Sequence, residues 1–173
     1  MLIRETPVFI DGPVGQLEAL YLDVADPRGI VLLCHPNPVQ GGTMTNKVVS
    51  MLQRTARDAG YITLRFNYRG VGQSAGSHDM GSGEVDDAQA AATWLREKHP
   101  ELPLTLMGFS FGGFVAASLG GRLEAQGVTL KHLFMVAPAV MRLGGTDGLP
   151  QAGALSVIQP EADEVIDPQI VYA

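Results

Sequence analysis

The apolar positions in the first third of the chain predict a strand pair followed by a more deeply buried strand. Residues 8–10 and 17–24 are two apolar stretches separated by a Gly-Pro turn, which is typical of an antiparallel pair. Ile30–Cys34 is then a short, wholly apolar run, as expected for a strand covered on both faces. The chain therefore starts with a predicted hairpin and continues into a predicted sheet interior.

Two later stretches have helical spacing. Residues 45–59 offer six positions for one face of a helix, with Gly60 as the candidate C-cap: Val48, Val49, Met51, Leu52, Thr55 and Ala56. For the second helix, Ser82 is the predicted cap and Pro100 the stop. Its first turn carries carboxylates, which the helix dipole favours there: Glu84, Asp86 and Asp87.

The rest of the chain continues the alternation of strand and helix. We predict strands at 62–67, 104–107, 133–137 and 155–158, and a helix at 111–123. This order indicates an α/β fold with a mostly parallel sheet and helices on both faces, in one domain over residues 1–173. Ligands of such sheets bind beyond the carboxyl ends of the strands, so we expect the functional residues there.

The composition of the chain disfavours nucleic-acid and membrane partners and favours a cytoplasmic location. The chain has 12 Lys and Arg against 18 Asp and Glu, a net charge of −6, which disfavours nucleic acid. No apolar run approaches the ~18 residues of a membrane span, so no membrane partner is expected. A signal peptide is not expected, because its apolar region would have to include Arg4, Glu5 and Pro7. The single cysteine, Cys34, cannot form an internal disulfide, which is typical of a cytoplasmic protein. We interpret Cys34 as a core residue rather than a nucleophile.

The strongest candidate chemistry lies in Gly108-Phe109-Ser110-Phe111-Gly112, between a predicted strand and a predicted helix. This is the G-x-S-x-G pattern in the context that a nucleophile elbow requires, where a strained turn presents the serine above the sheet. The small residues on either side let strand and helix approach closely. Ser110 is therefore the candidate nucleophile, against the alternative of a capping serine in a Gly-rich turn.

An acyl-transfer serine needs two backbone N–H donors for the oxyanion. Phe111, which follows Ser110, supplies the first candidate. In the loop after Cys34, Pro36 and Pro38 have no N–H, which leaves Asn37 as the second candidate. The alternative is that Asn37 only shapes the turn.

Three further polar residues near the predicted site have two interpretations each. His35 could be a general base, but at this strand end we favour a hydrogen-bonded loop anchor. Arg65 and Arg69 could orient an anionic substrate, although arginines at strand ends are more often solvated or ion-paired.

Three apolar residues near the predicted site also have two interpretations. They are candidate walls of the site and equally candidate core residues: Met44, Phe109 and Phe111.

Four segments together resemble the α/β-hydrolase superfamily, and more closely its small, lidless bacterial hydrolases: residues 35–44, 64–74, 108–113 and 161–165. The resemblance implies an ester-cleaving serine hydrolase with no metal or organic cofactor. It also implies that Asp163 is the acid of a Ser…acid…His triad. Glu161, Glu164 and Asp167 compete for that role, and an acidic surface loop is the alternative.

The triad histidine implied by the resemblance is absent from this sequence. His35, His78, His99 and His132 all precede Asp163, and ten residues follow it. A family member would continue for roughly another 30–50 residues. We therefore expect a C-terminally incomplete domain that lacks the last strand and helix and is nearly inactive alone. Strand 155–158 would then be an unpaired edge, and a homo-oligomer could form there.

The sequence thus predicts a serine hydrolase acting on a small ester-like substrate. Only 16 residues separate Pro138 from Leu155, the place where larger relatives insert a cap, so an open site is expected. The alternative is a catalytically incomplete hydrolase-fold protein that serves in binding or interaction.

Overall fold

The computed structural model describes residues 4–143, 149–151 and 153–160. These residues form one seven-stranded sheet in the order β1-β2-β4-β3-β5-β6-β7. In chain order the strands are β1 Thr6–Gly12, β2 Gly15–Leu22, β3 Ile30–Cys34, β4 Ile62–Phe66, β5 Leu104–Phe109, β6 Leu130–Val136 and β7 Ala154–Ile158. The helices are α1 Lys47–Asp58, α2 Ser82–Lys98 and α3 Phe111–Ala125.

The sheet is antiparallel at its start and parallel elsewhere. β1 pairs with β2, and β2 with β4, in antiparallel register. β4, β3, β5, β6 and β7 run parallel to one another. The predicted hairpin and the predicted mostly parallel sheet are both confirmed. β3 lies at the centre and is buried at every position, as its unbroken apolar run indicated.

Helices cover both faces of this sheet, as predicted. The larger core packs α2 and α3 against one face, around residues such as Leu32, Leu64 and Leu106. On the other face α1 packs against a smaller cluster that contains Val31 and Leu33. Successive strand residues therefore point to opposite cores, and the carboxyl ends of β3, β4, β5 and β6 meet at one edge.

Several local predictions need correction. Ser82 does not cap α2, because Gly81 is the N-cap and the Glu84 carboxylate accepts the Gly81 N–H. Met51 was predicted on the apolar face of α1 but is 51% exposed. Gly60 lies one residue beyond the Ala59 cap, with φ of +91°, in the left-handed conformation that glycine tolerates.

The last strand of the described sheet keeps two large apolar side chains in solvent. Leu155 is 59% and Ile158 is 53% exposed. The expected association of chains through this strand stays a prediction. None of the helices in residues 4–143, 149–151 and 153–160 combines the length and hydropathy that crossing a bilayer requires.

Candidate active site

Ser110 occupies a strained turn between β5 and α3. Its φ is +55° and its ψ is −117°, a left-handed φ that a non-glycine residue rarely adopts. Such conformations cost of order 1–3 kcal/mol and persist only where the surroundings hold them. Here the Ser110 N–H donates to the Val136 carbonyl at 2.9 Å, which ties the turn to the end of β6.

Close backbone packing explains why glycines flank this turn. A Cβ on Gly108 would clash with the Gly112 carbonyl, and a Cβ on Gly112 would clash with the Cys34 carbonyl. The start of α3 therefore presses against the carboxyl ends of both β5 and β3. This is the close approach of strand and helix that the sequence predicted for the elbow.

The loop after β6 completes the turn. The Ser110 carbonyl accepts N–H groups from Gly113 at 2.9 Å and from Ala139 at 3.0 Å. Ala139 lies in the segment between β6 and a short 3₁₀ helix, Val140–Arg142. Elements from three parts of the chain thus hold Ser110 in its conformation.

Phe111 contributes its backbone and its side chain in different ways. As the first residue of α3, its N–H has no partner within the helix and lies at the positive end of the helix dipole. The ring is 1% exposed and packs in the core against Tyr68 and Phe114. The Phe111 side chain is therefore a core residue rather than a wall of the site.

The other two candidate wall residues differ in exposure. Met44 is buried, at 5% exposed, and Phe109 is half-buried.

Asn37 caps a short 3₁₀ helix, Pro38–Gln40, in the loop after β3. Its side-chain carbonyl accepts the Val39 N–H at 2.9 Å, so that oxygen shapes the turn. Its backbone carbonyl accepts N–H groups from Gln40 and Gly42. The Asn37 side chain therefore shapes the turn, as the alternative interpretation expects. The oxyanion role that we propose for Asn37 concerns its backbone N–H.

His35 is an anchor for this loop. Its Nδ1 donates to the Pro36 carbonyl at 2.7 Å, and its Nε2 accepts the Tyr68 N–H at 3.2 Å. Burial lowers the pKa of His35 to about 4, partly offset by the bond to Pro36. Both ring nitrogens are occupied and the ring is neutral, so the anchor interpretation holds and no nitrogen is left to act as a base.

Cys34, the last residue of β3, lies beside this anchor. The residue is 1% exposed, and burial raises the pKa of its thiol to about 12, with a smaller opposing effect from Tyr68. A buried, protonated thiol is a poor nucleophile. The interpretation of Cys34 as a core residue is confirmed.

Both arginines considered for substrate binding form ion pairs. Arg65 donates to both carboxylate oxygens of Glu5, and its Nη1 also donates to the Met44 carbonyl at 3.0 Å. Arg69 donates through Nε and Nη2 to Asp87, whose side chain is fully buried. These arginines brace the loops after β3 and β4, and the ion-paired interpretation is the right one.

A carboxylate pair at the start of α2 fixes the loop after β4. Glu84 accepts the N–H groups of Asp79, Met80 and Gly81. Burial raises the pKa of Glu84, and a hydrogen bond with Asp79 raises it further; that same bond is the main cause of the lowered pKa of Asp79. The sequence indicated only a favourable charge at the helix start and missed this network.

The structure describes the four histidines of the chain but not the candidate acids of the expected triad. Asp163, with its competitors Glu161, Glu164 and Asp167, lies outside the described residues. All four histidines lie inside them, and none of the four has a hydrogen bond to Ser110. His99 instead pairs with Tyr21, and His132 pairs with Ser156.

No three His, Cys, Asp or Glu side chains within residues 4–143, 149–151 and 153–160 are grouped in a way that could hold a metal ion.

The mostly parallel sheet with helices on both faces is the fold of an α/β hydrolase. The chain belongs to the hydrolase family described as serine aminopeptidase, S33, which matches residues 25–168.

Two solved structures are similar over nearly the whole chain. One is an α/β serine hydrolase without lid from Xanthomonas campestris, with a TM-score of 0.87 and 39% identity, covering 99% of this chain and 78% of that chain. The other is an α/β serine hydrolase homologue from Coxiella burnetii, with a TM-score of 0.89 and 34% identity, covering 99% of this chain and 81% of that chain.

Curated relatives are considerably longer than this chain. An uncharacterized protein of Rickettsia prowazekii is 39% identical over 135 residues, which cover 77% of this chain and 55% of that protein. Across the curated relatives that it matches, the chain spans 27% to 55% of their length.

Proposed function

We propose that the protein is a serine hydrolase that cleaves small ester-like acyl substrates, with Ser110 as the nucleophile. The observation that carries this proposal is the strained backbone of Ser110, held by β5, α3 and the loop after β6. Strain of this kind has little use in a purely structural turn, whereas it would aim a nucleophile out of the sheet.

In this mechanism Ser110 attacks the ester carbonyl to give a tetrahedral intermediate, and the alcohol leaves from that intermediate to form the acyl-enzyme. Water then hydrolyses the acyl-enzyme, which releases the acid and regenerates Ser110. The backbone N–H groups of Phe111 and Asn37 hold the oxyanion; losing one such donor typically costs about 2.7–4 kcal/mol of transition-state stabilisation. If a histidine is provided to Ser110, it moves the proton, and Asp163 orients that histidine. The short segment between β6 and β7, together with the lidless Xanthomonas relative, supports an open site for small or extended substrates.

None of the four histidines, all of which lie in the described part of the chain, hydrogen-bonds Ser110, which favours a second candidate, a hydrolase-fold protein that binds without catalysis. Serine is a weak nucleophile unless a neighbouring base takes its proton, and loss of a triad histidine can cost about 10⁶ in turnover. The two candidates differ in whether Ser110 reacts when a base is provided.

Imidazole added to the solution provides that base. We expect hydrolysis of p-nitrophenyl acetate by the chain to rise with imidazole concentration well above the rate of a Ser110→Ala variant. Ser156→Ala is the matched control, because Ser156 hydrogen-bonds His132 on β6 and should leave the rate unchanged. Equal rates for the chain and Ser110→Ala at every imidazole concentration would favour the binding candidate.

The family description names a peptidase, so the bond type is tested in the same assay. We expect cleavage of the p-nitrophenyl ester and no measurable cleavage of the matching p-nitroanilide. Faster cleavage of the anilide would overturn the ester assignment while leaving Ser110 as the nucleophile.

A further inference from the structure

The loop after β6 brings an arginine to the elbow. Hydrogen bonds join Ser110 to Val136 and Ala139 on either side of this loop. Pro138, between them, packs where a Cβ on Gly113 would lie. The 3₁₀ helix Val140–Arg142 follows at once, so Arg142 emerges beside the start of α3.

Two contacts place the Arg142 guanidinium. Its Cζ lies 5.1 Å from the centroid of the Phe111 ring, the residue directly after Ser110. Its Nη1 donates to the Met80 carbonyl at 3.3 Å, in the loop that follows β4. Both loops follow the carboxyl ends of parallel strands, which is the edge where ligands of such sheets bind.

The charge of Arg142 is not neutralised by the part of the chain that the structure describes. It forms no salt bridge there, in contrast to Arg65 with Glu5 and Arg69 with Asp87. A carbonyl at 3.3 Å and an aromatic face position a cation without cancelling its charge. The residue is exposed, so a ligand can reach it.

We propose that Arg142 recognises a negatively charged group on the substrate, so that the site prefers anionic esters to neutral ones of the same shape. The positive end of the α3 dipole acts in the same direction. This inference rests on the proposed function, since it takes the substrate to lie at Ser110. It adds to that function a substrate class, esters with a second, anionic group such as a carboxylate.

Binding to a Ser110→Ala background tests this preference without requiring turnover. Monoethyl succinate is the anionic probe and ethyl levulinate its neutral isostere, and both are titrated by saturation-transfer NMR. We expect monoethyl succinate to bind about fivefold more tightly, as for one exposed charge contact. We expect the difference to shrink at 1 M salt, where the Debye length is about 3 Å.

Variants then assign the preference to Arg142. Adding Arg142→Gln should remove it, and Arg142→Lys should keep part of it. Arg54→Gln is the matched control, because Arg54 is an exposed arginine on α1 with no hydrogen bond or ion pair to a described residue. Equal affinities for the two probes, no detectable binding of monoethyl succinate, or a preference that survives Arg142→Gln would each overturn the proposal.

The failure of this inference is distinct from failure of the proposed function. The binding experiment reports on Arg142 alone, whereas the imidazole assay reports on Ser110 alone. A Ser110-dependent hydrolysis without an anionic preference would leave the nucleophile assigned and remove only the substrate class.

Discussion

Ser110 is the residue at which local strain and proposed chemistry coincide. Its φ of +55° is unfavourable for any side chain with a Cβ, and the hydrogen bonds to Val136, Gly113 and Ala139 hold the conformation. The strained conformation that positions the Ser110 hydroxyl therefore lowers the free energy of unfolding. Removing the Cβ should restore part of that free energy.

We predict that Ser110→Gly raises the free energy of unfolding by about 1 kcal/mol relative to Ser110→Ala, because glycine adopts a left-handed φ without strain. Urea unfolding of the two variants measures the difference. Both lack the hydroxyl, so the comparison isolates the backbone. A glycine variant less stable than the alanine variant would contradict the strain.

A second prediction concerns the buried His35. Burial lowers its pKa to about 4 in the folded chain, against about 6.5 unfolded. The unfolded state then binds more protons between these values, so His35 contributes stability above pH 6.5 that is lost as the pH falls towards 4. Between pH 7 and pH 5 the free energy of unfolding should drop by about 2 kcal/mol from this residue.

Urea unfolding at both pH values checks this drop, with His35→Gln as the variant in which the contribution disappears. His78→Gln is the control, because His78 is exposed and should leave the pH dependence as it is. An identical pH dependence in the chain and in His35→Gln would show that His35 is not held neutral.

The tight turn at Ser110 could be predicted from the sequence because its residue pattern is local. Gly108, Ser110 and Gly112 lie within five residues, and the strand and helix around them have clear patterns. Arg142 could not be predicted in the same way. Its contacts are Met80, 62 positions away, and Phe111, and only the folded sheet brings them together.

At the scale of elements, the loop after β4 is fastened to α2 by a buried ion pair. Arg69 and Asp87 share a charge-assisted interaction in which Asp87 also accepts the Arg69 backbone N–H at 2.9 Å. The Asp87 side chain is fully buried, so removing its partner would leave an uncompensated charge. The pair thus holds one side of the proposed site in place.

We predict that Asp87→Ala destabilises the fold by about 3–5 kcal/mol, since it strands the Arg69 guanidinium. The double variant Arg69→Met with Asp87→Leu should recover about 2 kcal/mol or more, because no charge is then buried alone. Thermal and urea unfolding of the single and double variants measure this. A double variant no more stable than Asp87→Ala would show that the unpaired charge of Arg69 is not the cause of the destabilisation.

The elements themselves were largely predictable, and their ends were not. All seven strands and three helices in the described residues correspond to predicted ones, since each has clear apolar periodicity or length. Ser82 was the wrong cap for α2 because the Glu84 carboxylate, two residues into the helix, takes the Gly81 N–H instead. The sequence pattern does not show which of two nearby polar side chains, Ser82 or Glu84, accepts a backbone N–H at the start of the helix.

At the scale of the whole molecule, the parallel sheet gathers the site at one edge. The loop with Asn37 follows β3, and the strained turn at Ser110 follows β5. The segment with Arg142 follows β6, and the loop that Arg142 contacts follows β4. Family membership and the similarity to the Xanthomonas and Coxiella structures agree with this architecture. We propose that this arrangement makes Ser110 the reacting group.

The most direct test is the intact mass of the chain after exposure to a fluorophosphonate in buffer containing imidazole. We expect one adduct per chain, absent from Ser110→Ala and retained in Ser156→Ala. A folded chain that takes up no adduct, or a Ser110→Ala variant that still takes one up, would contradict the assignment of Ser110 as the nucleophile.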